Sequence, residues 1–317
     1  MRILKPTEKN IKLCAKAIKK GEVVAFPTET VYGLGADVFN KESVAKIFEI
    51  KKRPKFDPLI VHISDRSQLK ILVKKIPSKI NILIDKFWPG PLTLVMEKKK
   101  NVPDIVTSAL NTVAVRMPNN EIALKLIKYS KTPIAAPSAN KFTRISPTTA
   151  FHITRQFENE IPFILDGGKT DFGVESTIIK YEKNRFYLLR KGAISKEEIE
   201  KAIKDKVIDK KSKKIDAPGQ FKKHYAPLAK VIIIKDDSNI KEDLKAGYIA
   251  FCKKPKKKFK MVKVLSFKKD LKEAASNLFD FFHQFEEKGI KKIYVEKISE
   301  KGLGAAIMDR IKKAAGV

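Results

Sequence analysis

Uncharged hydrogen-bonding side chains crowd a short segment near the start of the chain. Residues 26–35 read Phe-Pro-Thr-Glu-Thr-Val-Tyr-Gly-Leu-Gly, so an apolar run leads into two threonines, a glutamate and two glycines. The hydroxyls can donate and accept hydrogen bonds without carrying charge, and glycines let backbone amides come close to a ligand. A plain strand-to-turn junction would not need so many of these groups, so the segment favours a ligand-binding elbow.

Basic residues gather where the second predicted helix ends. Residues 51–62 begin Lys-Lys-Arg-Pro and continue through Asp57 to His62. Lys51 is a point charge and Arg53 a planar fork, so both could bind one triphosphate. Two of these residues also have an ordinary interpretation. Lys51 could be a solvated charge, and His62 could be a core histidine whose hydrogen bonds are satisfied.

An arginine closes the apolar strand predicted over 113–115. Burying the guanidinium of Arg116 is costly unless an anion accompanies it. An internal carboxylate or the carboxylate of a ligand would meet that need, and the residues alone leave both open.

Two further segments place polar side chains beside predicted strands. Ser138 and Asn140 lie just past a strand's carboxyl end, where α/β sheets tend to bind ligands. Glu175 and Ser176 open another strand, and Arg190 ends a later one. Turn or cap chemistry would explain each segment singly. Together, the hydroxyls, amides and basic groups predict a site that binds an anionic, multi-part ligand and works by positioning and charge stabilisation.

Standard nucleotide-binding motifs do not fit the glycine-containing runs of this sequence. Gly302-Leu303-Gly304 lacks the third glycine of a dinucleotide fingerprint, since the matching position is Ile307, and we predict a turn and helix start there. Gly168-Lys169-Thr170 would need the first glycine of a P-loop at Phe163. There is no Ser/His/Asp order, no metal-binding helix and no cysteine cluster, so we expect no metal site built from the chain alone.

Composition sets broad limits on the protein. Its 317 residues suffice for two domains, and no run approaches the roughly 20 apolar residues of a membrane span. No leader peptide is evident, so we expect a cytoplasmic protein without membrane contact. The net charge is +31, but only nine of the 67 basic residues are arginine and the lysines are spread along the chain. This bias is typical of thermophile surfaces, although a surface selected for RNA stays open.

The elements that must position these residues alternate between strands and helices. Thr7 and Asn40 are predicted N-caps of the first two helices, and a third helix is predicted from Pro147 through Phe157. Strands are predicted over 22–26, 59–63, 92–96, 113–115, 133–136, 163–165, 176–181 and 186–189, and a charged helix over 195–204. This interleaving, with some strands close enough to pair as hairpins, predicts an α/β domain with a mixed, twisted open sheet.

The pattern restarts after a breaker-rich stretch. We predict a catalytic domain over 1–204, a linker over 205–229 and a small domain over 230–317. The small domain alternates strands over 231–234, 247–251, 262–265 and 293–295 with helices, the longest of which carries the stripe Leu271, Ala275, Leu278, Phe282 and Phe285. That order predicts a smaller, Rossmann-like parallel α/β domain.

The combined motifs resemble those of the threonylcarbamoyl-AMP synthases, which carry a YrdC-like catalytic domain. The likeness rests on residues 26–35, 51–62, 138–140 and 175–178. Pro218-Gly219, residues 224–227 and residues 302–307 resemble the linker and small C-terminal domain of the two-domain members. The resemblance therefore spans essentially the whole chain.

Carried over by position, the resemblance implies two halves of one site. It implies a threonine pocket formed by Thr30, His62, Arg116, Ala136 and Ser176, with Arg116 as the partner of the threonine carboxylate. It implies an ATP side formed by Lys51, Arg53, Asp57, Thr112, Ser138, Asn140, Ser146, Arg190 and Tyr225, with Lys51 and Arg53 as catalytic groups. Asp57 stands where the family often has asparagine, and its carboxylate would repel phosphates unless it pairs with Lys55 or Arg53 or helps to hold Mg²⁺.

The resemblance also implies the reaction and its partners. L-Threonine, bicarbonate or CO₂, and ATP with Mg²⁺ would give threonylcarbamoyl-AMP and pyrophosphate, for modification of tRNA at the adenosine next to the anticodon. The linker would fold over the nucleotide, so that Tyr225 and His224 close the site. A tRNA threonylcarbamoyl transferase complex would consume the product, and weak tRNA binding by this chain stays open.

Two other functions compete with this interpretation. An RNA-binding protein would use the positive charge directly, but the sequence lacks the array of stacking aromatic residues that single-strand binders use. Another carbamoyl-transfer enzyme would share the catalytic domain, but it would not need the linker around Pro218–Pro227 or the C-terminal domain.

Overall fold

Two sheets organise the chain in the computed structural model, which describes residues 1–210, 217–219, 221 and 224–317. The larger sheet has strands β1 (Arg2–Leu4), β2 (Val24–Phe26), β3 (Gly33–Asp37), β4 (Ile60–His62), β5 (Leu92–Glu97), β6 (Thr112–Arg116), β7 (Ile134–Ala135), β8 (Phe163–Leu165), β9 (Thr177–Glu182), β10 (Arg185–Arg190) and β11 (Val207–Asp209). The smaller sheet has β12 (Lys230–Ile234), β13 (Asp243–Ala250), β14 (Phe259–Val264) and β15 (Lys292–Glu296).

Helices cover and connect both sheets. They are α1 (Glu8–Lys19), α2 (Lys41–Lys51), α3 (Leu69–Leu72), α4 (Ser78–Phe87), α5 (Asp104–Thr107), α6 (Glu121–Ser130), α7 (Ala150–Thr154), α8 (Lys196–Ile203), α9 (Leu271–Glu287) and α10 (Gly304–Ala315), with a 3-10 turn at Arg66–Gln68. The predicted caps are confirmed, because the side chain of Thr7 accepts from Asn10 N at 3.3 Å and that of Asn40 accepts from Ser43 N at 3.0 Å.

The larger sheet is mixed, as predicted. Its strand order is β1-β8-β2-β3-β7-β4-β6-β5-β9-β10-β11. The pairs β4–β6 and β5–β9 are parallel, whereas β2–β3, β4–β7 and β5–β6 are antiparallel. The middle strands are buried, so apolar cores form on both faces: α1 and α6 pack on one face, and α2 and α4 on the other. The parallel pair β4–β6 places two carboxyl ends side by side.

Three local expectations differ from the structure. Residues 33–37 form a strand rather than part of a turn, because a Cβ at Gly35 would lie 2.6 Å from the Phe26 ring and only glycine lets this strand approach. The helix predicted from Pro147 is shorter, since Thr149 is its cap and Thr148 N is instead bonded to His152 Nδ1 at 3.2 Å. Residues 207–209, which the sequence placed in the linker, pair in parallel with β10 as an edge strand.

The smaller sheet is wholly parallel, as predicted, in the order β12-β15-β13-β14. The α9 stripe is buried apart from its half-buried first member, Leu271. Gly302 turns with a positive φ of 55° and α10 begins at Gly304, as the sequence indicated. Among the helices of the described residues, none is both long and apolar enough to cross a membrane.

The two domains share an apolar core. Val31, Ile145 and Val174 of the catalytic domain pack in one cluster with α9, α10 and Tyr225. Arg144 also forms an ion pair with Glu286 of α9 at 2.7 Å. This contact fixes the C-terminal domain beside the carboxyl ends of β4 and β6, and the linker is held between them.

Candidate active site

A partly open cavity lies between these strand ends and the linker. His62 and Arg116 are register partners at the ends of β4 and β6, so the parallel pair delivers both to one wall. Of the predicted residues, the wall contains Thr30, Arg53, His62, Arg116, Ala136, Ser138, Ser176, Arg190 and Tyr225. A concave site with several convergent polar groups is typical of ligand binding.

Arg116 has an internal carboxylate and still faces the cavity. Its Nη2 lies 2.7 Å from Glu29 Oε2, and its Nη1 donates to Thr30 Oγ1 at 2.9 Å. Thr28 Oγ1 is 2.9 Å from Thr30 Oγ1 and donates to the Val31 carbonyl at 2.7 Å. The polar elbow therefore holds the guanidinium in one orientation, and Glu29, only 2% exposed, offsets its charge.

His62 is a neutral member of the same wall. Burial, with a further contribution from the charge of Arg116, lowers the pKa of His62 to about 3. Its Nδ1 is buried without a hydrogen-bond partner. His62 lines the cavity and this nitrogen has no partner among the described residues, so the ring is suited to a ligand.

Arg53 lies in the loop after α2 and forms an ion pair with Asp57. Its Nη2 lies 2.8 Å from Asp57 Oδ2, and it donates to the carbonyls of Asp57 at 3.1 Å and Pro58 at 2.9 Å. Asp57 is fully buried and absent from the cavity wall. Burial raises the pKa of Asp57, and the nearby Arg53 opposes that shift. The carboxylate thus pairs with Arg53, one of the alternatives that the sequence left open.

Lys51 supports the wall from behind instead of lining it. The helix α2 ends at Lys51, two residues before the predicted end at Arg53, and the Lys51 Nζ donates to the carbonyls of Ser138 (2.7 Å) and Asn140. Burial lowers the pKa of Lys51 well below its usual range. The amide nitrogen of Asn140 donates to the carbonyls of Lys141 and Arg144, and its Oδ1 is buried without a partner. Lys51 therefore shapes the turn that presents Ser138.

Arg190 joins the two predicted halves of the site. Its Nε and Nη2 donate to the Ser176 carbonyl at 3.0 and 2.9 Å, and its Nη2 also donates to Ser176 Oγ at 3.0 Å. Ser176 Oγ is in turn 2.8 Å from Thr93 Oγ1. The third guanidinium nitrogen lies 3.5 Å from the Pro218 carbonyl, so one arginine contacts both the sheet and the linker.

Two other predicted residues lie outside the wall. Thr112 begins β6, four residues before Arg116. Because side chains alternate along a strand, the two lie on the same face of the sheet. Ser146 is fully buried and donates its hydroxyl hydrogen to Glu175 Oε1 at 2.5 Å.

The described part of the linker closes one side of the cavity. Pro218, Gly219, His224 and Tyr225 all line it. The Tyr225 hydroxyl and His224 Nδ1 are buried and have no hydrogen-bond partner within the described part of the chain. Burial, with Arg53 as the next cause, lowers the pKa of His224 well below its usual range. Residues 211–216, 220 and 222–223 of the predicted linker lie outside the described residues.

Sequence reasoning missed several residues that shape this cavity. Thr28 and Glu175 were inside recognised motifs but were not selected, although both line the wall. Arg310, from the C-terminal domain, contacts Glu175 at 2.6 Å. The scarcity of arginine was the available signal for Arg310, because a chain so biased toward lysine retains few guanidinium forks.

The described residues contain no group of three or more His, Cys, Asp or Glu side chains placed to hold a metal ion. The cavity carboxylate Glu175 and the nearby carboxylates Glu29 and Asp57 are each ion-paired to an arginine. A divalent cation at this site would therefore depend on ligands from a substrate.

Comparison with known proteins matches both domains. The Sua5/YciO/YrdC family, described as telomere recombination, matches residues 16–192, and a family described as threonylcarbamoyl-AMP synthase, C-terminal domain, matches residues 194–316. The threonylcarbamoyl-AMP synthase of Pyrococcus abyssi is 44% identical (98% of this chain, 95% of that one), and that of Bacillus subtilis is 40% identical (99% and 95%). The crystal structure of P. abyssi Sua5 complexed with L-threonine superposes with a TM-score of 0.91 at 40% identity, covering 100% of this chain and 98% of that one.

Proposed function

Because the chain belongs to the threonylcarbamoyl-AMP synthase family over nearly its whole length, we propose that the cavity is where L-threonine, bicarbonate or CO₂, and ATP react. The enzyme is a nucleotidyltransferase that makes threonylcarbamoyl-AMP, the activated intermediate for threonylcarbamoyladenosine formation in tRNA. The observation that carries the assignment of the cavity is the convergence of Arg53, Arg116 and Arg190 in its wall. Three buried guanidinium groups suit a triphosphate and an amino-acid carboxylate.

Threonine is assigned to the side of the cavity formed by strand ends. Arg116 would bind the carboxylate, with Thr30, His62, Ala136 and Ser176 around the side chain and amine. The support is the fixed guanidinium of Arg116 and the unpaired nitrogen of neutral His62. The relative from P. abyssi whose structure contains L-threonine shares this fold.

ATP is assigned to the opposite side. Arg53, Ser138, Arg190 and Tyr225 would contact the nucleotide directly, since they line the cavity. Lys51, Asp57, Asn140 and Ser146 would act from behind the wall, and Thr112 would lie further along β6. The buried Lys51 Nζ donates to two carbonyls of the Ser138 turn, which holds Ser138 in place on this side.

The reaction follows from these placements. The neutral threonine amine attacks CO₂ and loses a proton, giving a carbamate. A carbamate oxygen then attacks the α-phosphorus of ATP, the bond to the β-phosphate oxygen breaks, and pyrophosphate leaves. Negative charge grows on the phosphoryl oxygens and the leaving group, where Arg53 and Arg190 would offset it. The linker residues would keep water from the labile anhydride.

Magnesium is assigned to the substrate rather than to the chain. The cation usually retains several waters and binds substrate phosphates with one or two carboxylates. Because Asp57, Glu175 and Glu29 are already paired with arginines, we expect ATP to enter as its Mg²⁺ complex. Bound there, Mg²⁺ would supply charge neutralisation of the phosphates.

The wider biological setting is also proposed. A division into residues 1–204, 205–229 and 230–317 accounts for the two cores and the connecting segment that lines the cavity. A transferase complex acting on tRNA would consume the product, and the cytoplasm is the compartment where ATP, threonine and tRNA meet. The large positive charge would aid encounter with tRNA as a weak, salt-dependent interaction.

Pyrophosphate release tests the proposal. Purified protein with ATP, Mg²⁺, bicarbonate and L-threonine should release pyrophosphate only when threonine and bicarbonate are both present, and Arg53→Ala should abolish most of it. Arg66→Ala is the matched control, because Arg66 is half exposed and pairs with Asp85 away from the cavity. Release without threonine, or equal loss in both variants, would overturn the proposal.

A further inference from the structure

One residue of the C-terminal domain contacts two residues of the cavity wall. Arg310 of α10 is fully buried, and its Nε contacts Glu175 Oε2 at 2.6 Å. Its Nη2 donates to the Lys191 carbonyl at 2.9 Å, and its guanidinium lies 4.7 Å from the centroid of the Tyr225 ring. We propose that Arg310 is a positioning residue that completes the ATP side, so that the C-terminal domain controls affinity for ATP. This inference rests on the proposed assignment of that side.

Arg310 balances the charge of a carboxylate in the cavity wall. Glu175 is 5% exposed and lines the cavity. Burial would raise the pKa of Glu175, but Arg310, followed by Arg190, holds it below its usual range, so the carboxylate is ionised. Its other oxygen accepts the hydroxyl hydrogen of Ser146 at 2.5 Å. Without Arg310, the negative charge of Glu175 would have one fewer cation to offset it. The wall would then repel phosphates.

Arg310 also contacts Tyr225, whose backbone conformation is unfavourable. This residue has a φ of +59°, in the left-handed region that is unfavourable for a bulky side chain. Its ring lies beneath Arg310 and stacks on Phe279 of α9 at 5.6 Å between centroids. A strained backbone persists only where surrounding contacts determine it, and here the C-terminal domain supplies both contacts.

The same helix also contacts Gly219 of the linker. Lys313, one turn further along α10, donates to the Gly219 carbonyl at 2.8 Å. Gly219 has a φ of +82°, and a Cβ there would lie 2.4 Å from the Tyr225 hydroxyl oxygen. A single turn of α10 therefore holds two linker residues that line the cavity, and Arg310 is the member that also pairs with the catalytic domain.

Steady-state kinetics of Arg310→Met tests this role. We expect the KM for ATP to rise about tenfold, the scale of one lost charge-assisted interaction, while the KM for threonine stays within about twofold. Arg155→Met is the matched control: Arg155 pairs with Glu287 across the same domain interface at 3.5 Å, and neither residue lines the cavity. The control should leave both KM values unchanged.

Two further variants guard against simple misfolding. Arg310→Lys keeps the charge but loses the planar fork, so it should raise the KM for ATP by about threefold. Glu175→Gln added to Arg310→Met removes the uncompensated carboxylate and should recover part of the ATP affinity. Equal changes in both KM values, or no change in the KM for ATP in Arg310→Lys, would overturn the inference. Wild-type protein that releases no threonine-dependent pyrophosphate would instead overturn the proposed function.

Discussion

The two sides of the cavity are built in different ways. The proposed threonine side comes mainly from the strands of one sheet and the elbow between β2 and β3, and His62 and Arg116 are neighbours in the β4–β6 register. The proposed ATP side collects residues from a loop after α2, a turn after β7, the end of β10 and the linker. Sheet register fixes the first, whereas the second depends on tertiary contacts that include another domain.

This difference has an energetic consequence. Backbone hydrogen bonds between strands hold the threonine side whether or not the domains are docked, so it should be pre-formed. The ATP side needs the linker in place, and the linker contains the unfavourable φ of Tyr225. Substitutions on the two sides should therefore separate into effects on threonine and effects on ATP.

The largest expected effect is on the threonine side, in Arg116→Met. This change leaves the Glu29 carboxylate buried at 2% exposure without its cation, which should lower the free energy of unfolding by about 3–5 kcal/mol. The KM for threonine should rise steeply while the KM for ATP changes little. Guanidinium chloride unfolding and steady-state kinetics measure the two effects.

The double variant Glu29→Gln/Arg116→Met separates structure from binding. Removing the uncompensated carboxylate should recover most of the lost stability, but threonine binding should stay weak because the guanidinium is gone. A double variant as unstable as the single one would refute the ion-pair explanation, and a normal KM for threonine would refute the assignment of Arg116.

The matching change on the ATP side is Arg53→Met combined with Asp57→Asn. Together they remove a buried ion pair of 2.8 Å and leave no unpaired charge, so the fold should tolerate them. The kcat/KM for ATP should fall by about 10²–10³-fold, the usual cost of removing a preorganised group that stabilises transition-state charge. The KM for threonine should stay close to that of the wild type. Comparable losses for both substrates would erase the distinction between the two sides.

The difference between sheet register and long-range tertiary contacts also determines which residues could be predicted from the sequence. Residues at strand ends were found because an apolar run followed by a polar residue marks such an end, as at Arg116. Both domains and their sheet types were also predicted from the alternation of elements. A helix end was predicted at Lys51 to Arg53 and lies at Lys51, but no pattern tells that the Lys51 side chain turns toward two carbonyls behind the wall.

Contacts between distant parts of the chain were not predictable. Arg310 lies 135 positions from Glu175, and no local spacing relates the two. The strand β3 was missed because glycines weaken a strand signal, although here they are what lets β3 pack against Phe26. The edge strand β11 was hidden in a charged stretch that resembles a linker.

An effect of intermediate size is expected on stability at low pH. His62 has a folded-state pKa of about 3 against about 6.5 when unfolded, so its contribution to stability is present above pH 6.5 and is lost as the pH falls toward 3. At pH 5.5 the loss should be about 1.4 kcal/mol for this one group. His62→Gln should therefore lose about that much less stability than the wild type between pH 7.5 and 5.5, by chemical unfolding at each pH. Identical losses in the two proteins would mean that His62 is protonated in the folded state.

The smallest expected effect is the most specific for the ATP side. The buried Tyr225 hydroxyl has no hydrogen-bond partner among the residues that the structure describes, so Tyr225→Phe should leave the free energy of unfolding unchanged or raise it by about 1 kcal/mol. If that hydroxyl bonds the bound nucleotide, the KM for ATP should rise by about fivefold, the equivalent of one neutral hydrogen bond. Tyr248→Phe is the control with the opposite pattern, because its hydroxyl donates to Glu296 at 2.8 Å in the C-terminal domain. Its loss should reduce stability by about 1–2 kcal/mol and leave the KM for ATP unchanged. A Tyr225→Phe enzyme with normal affinity for ATP would show that the linker contributes only shape to the ATP side, through its ring and backbone.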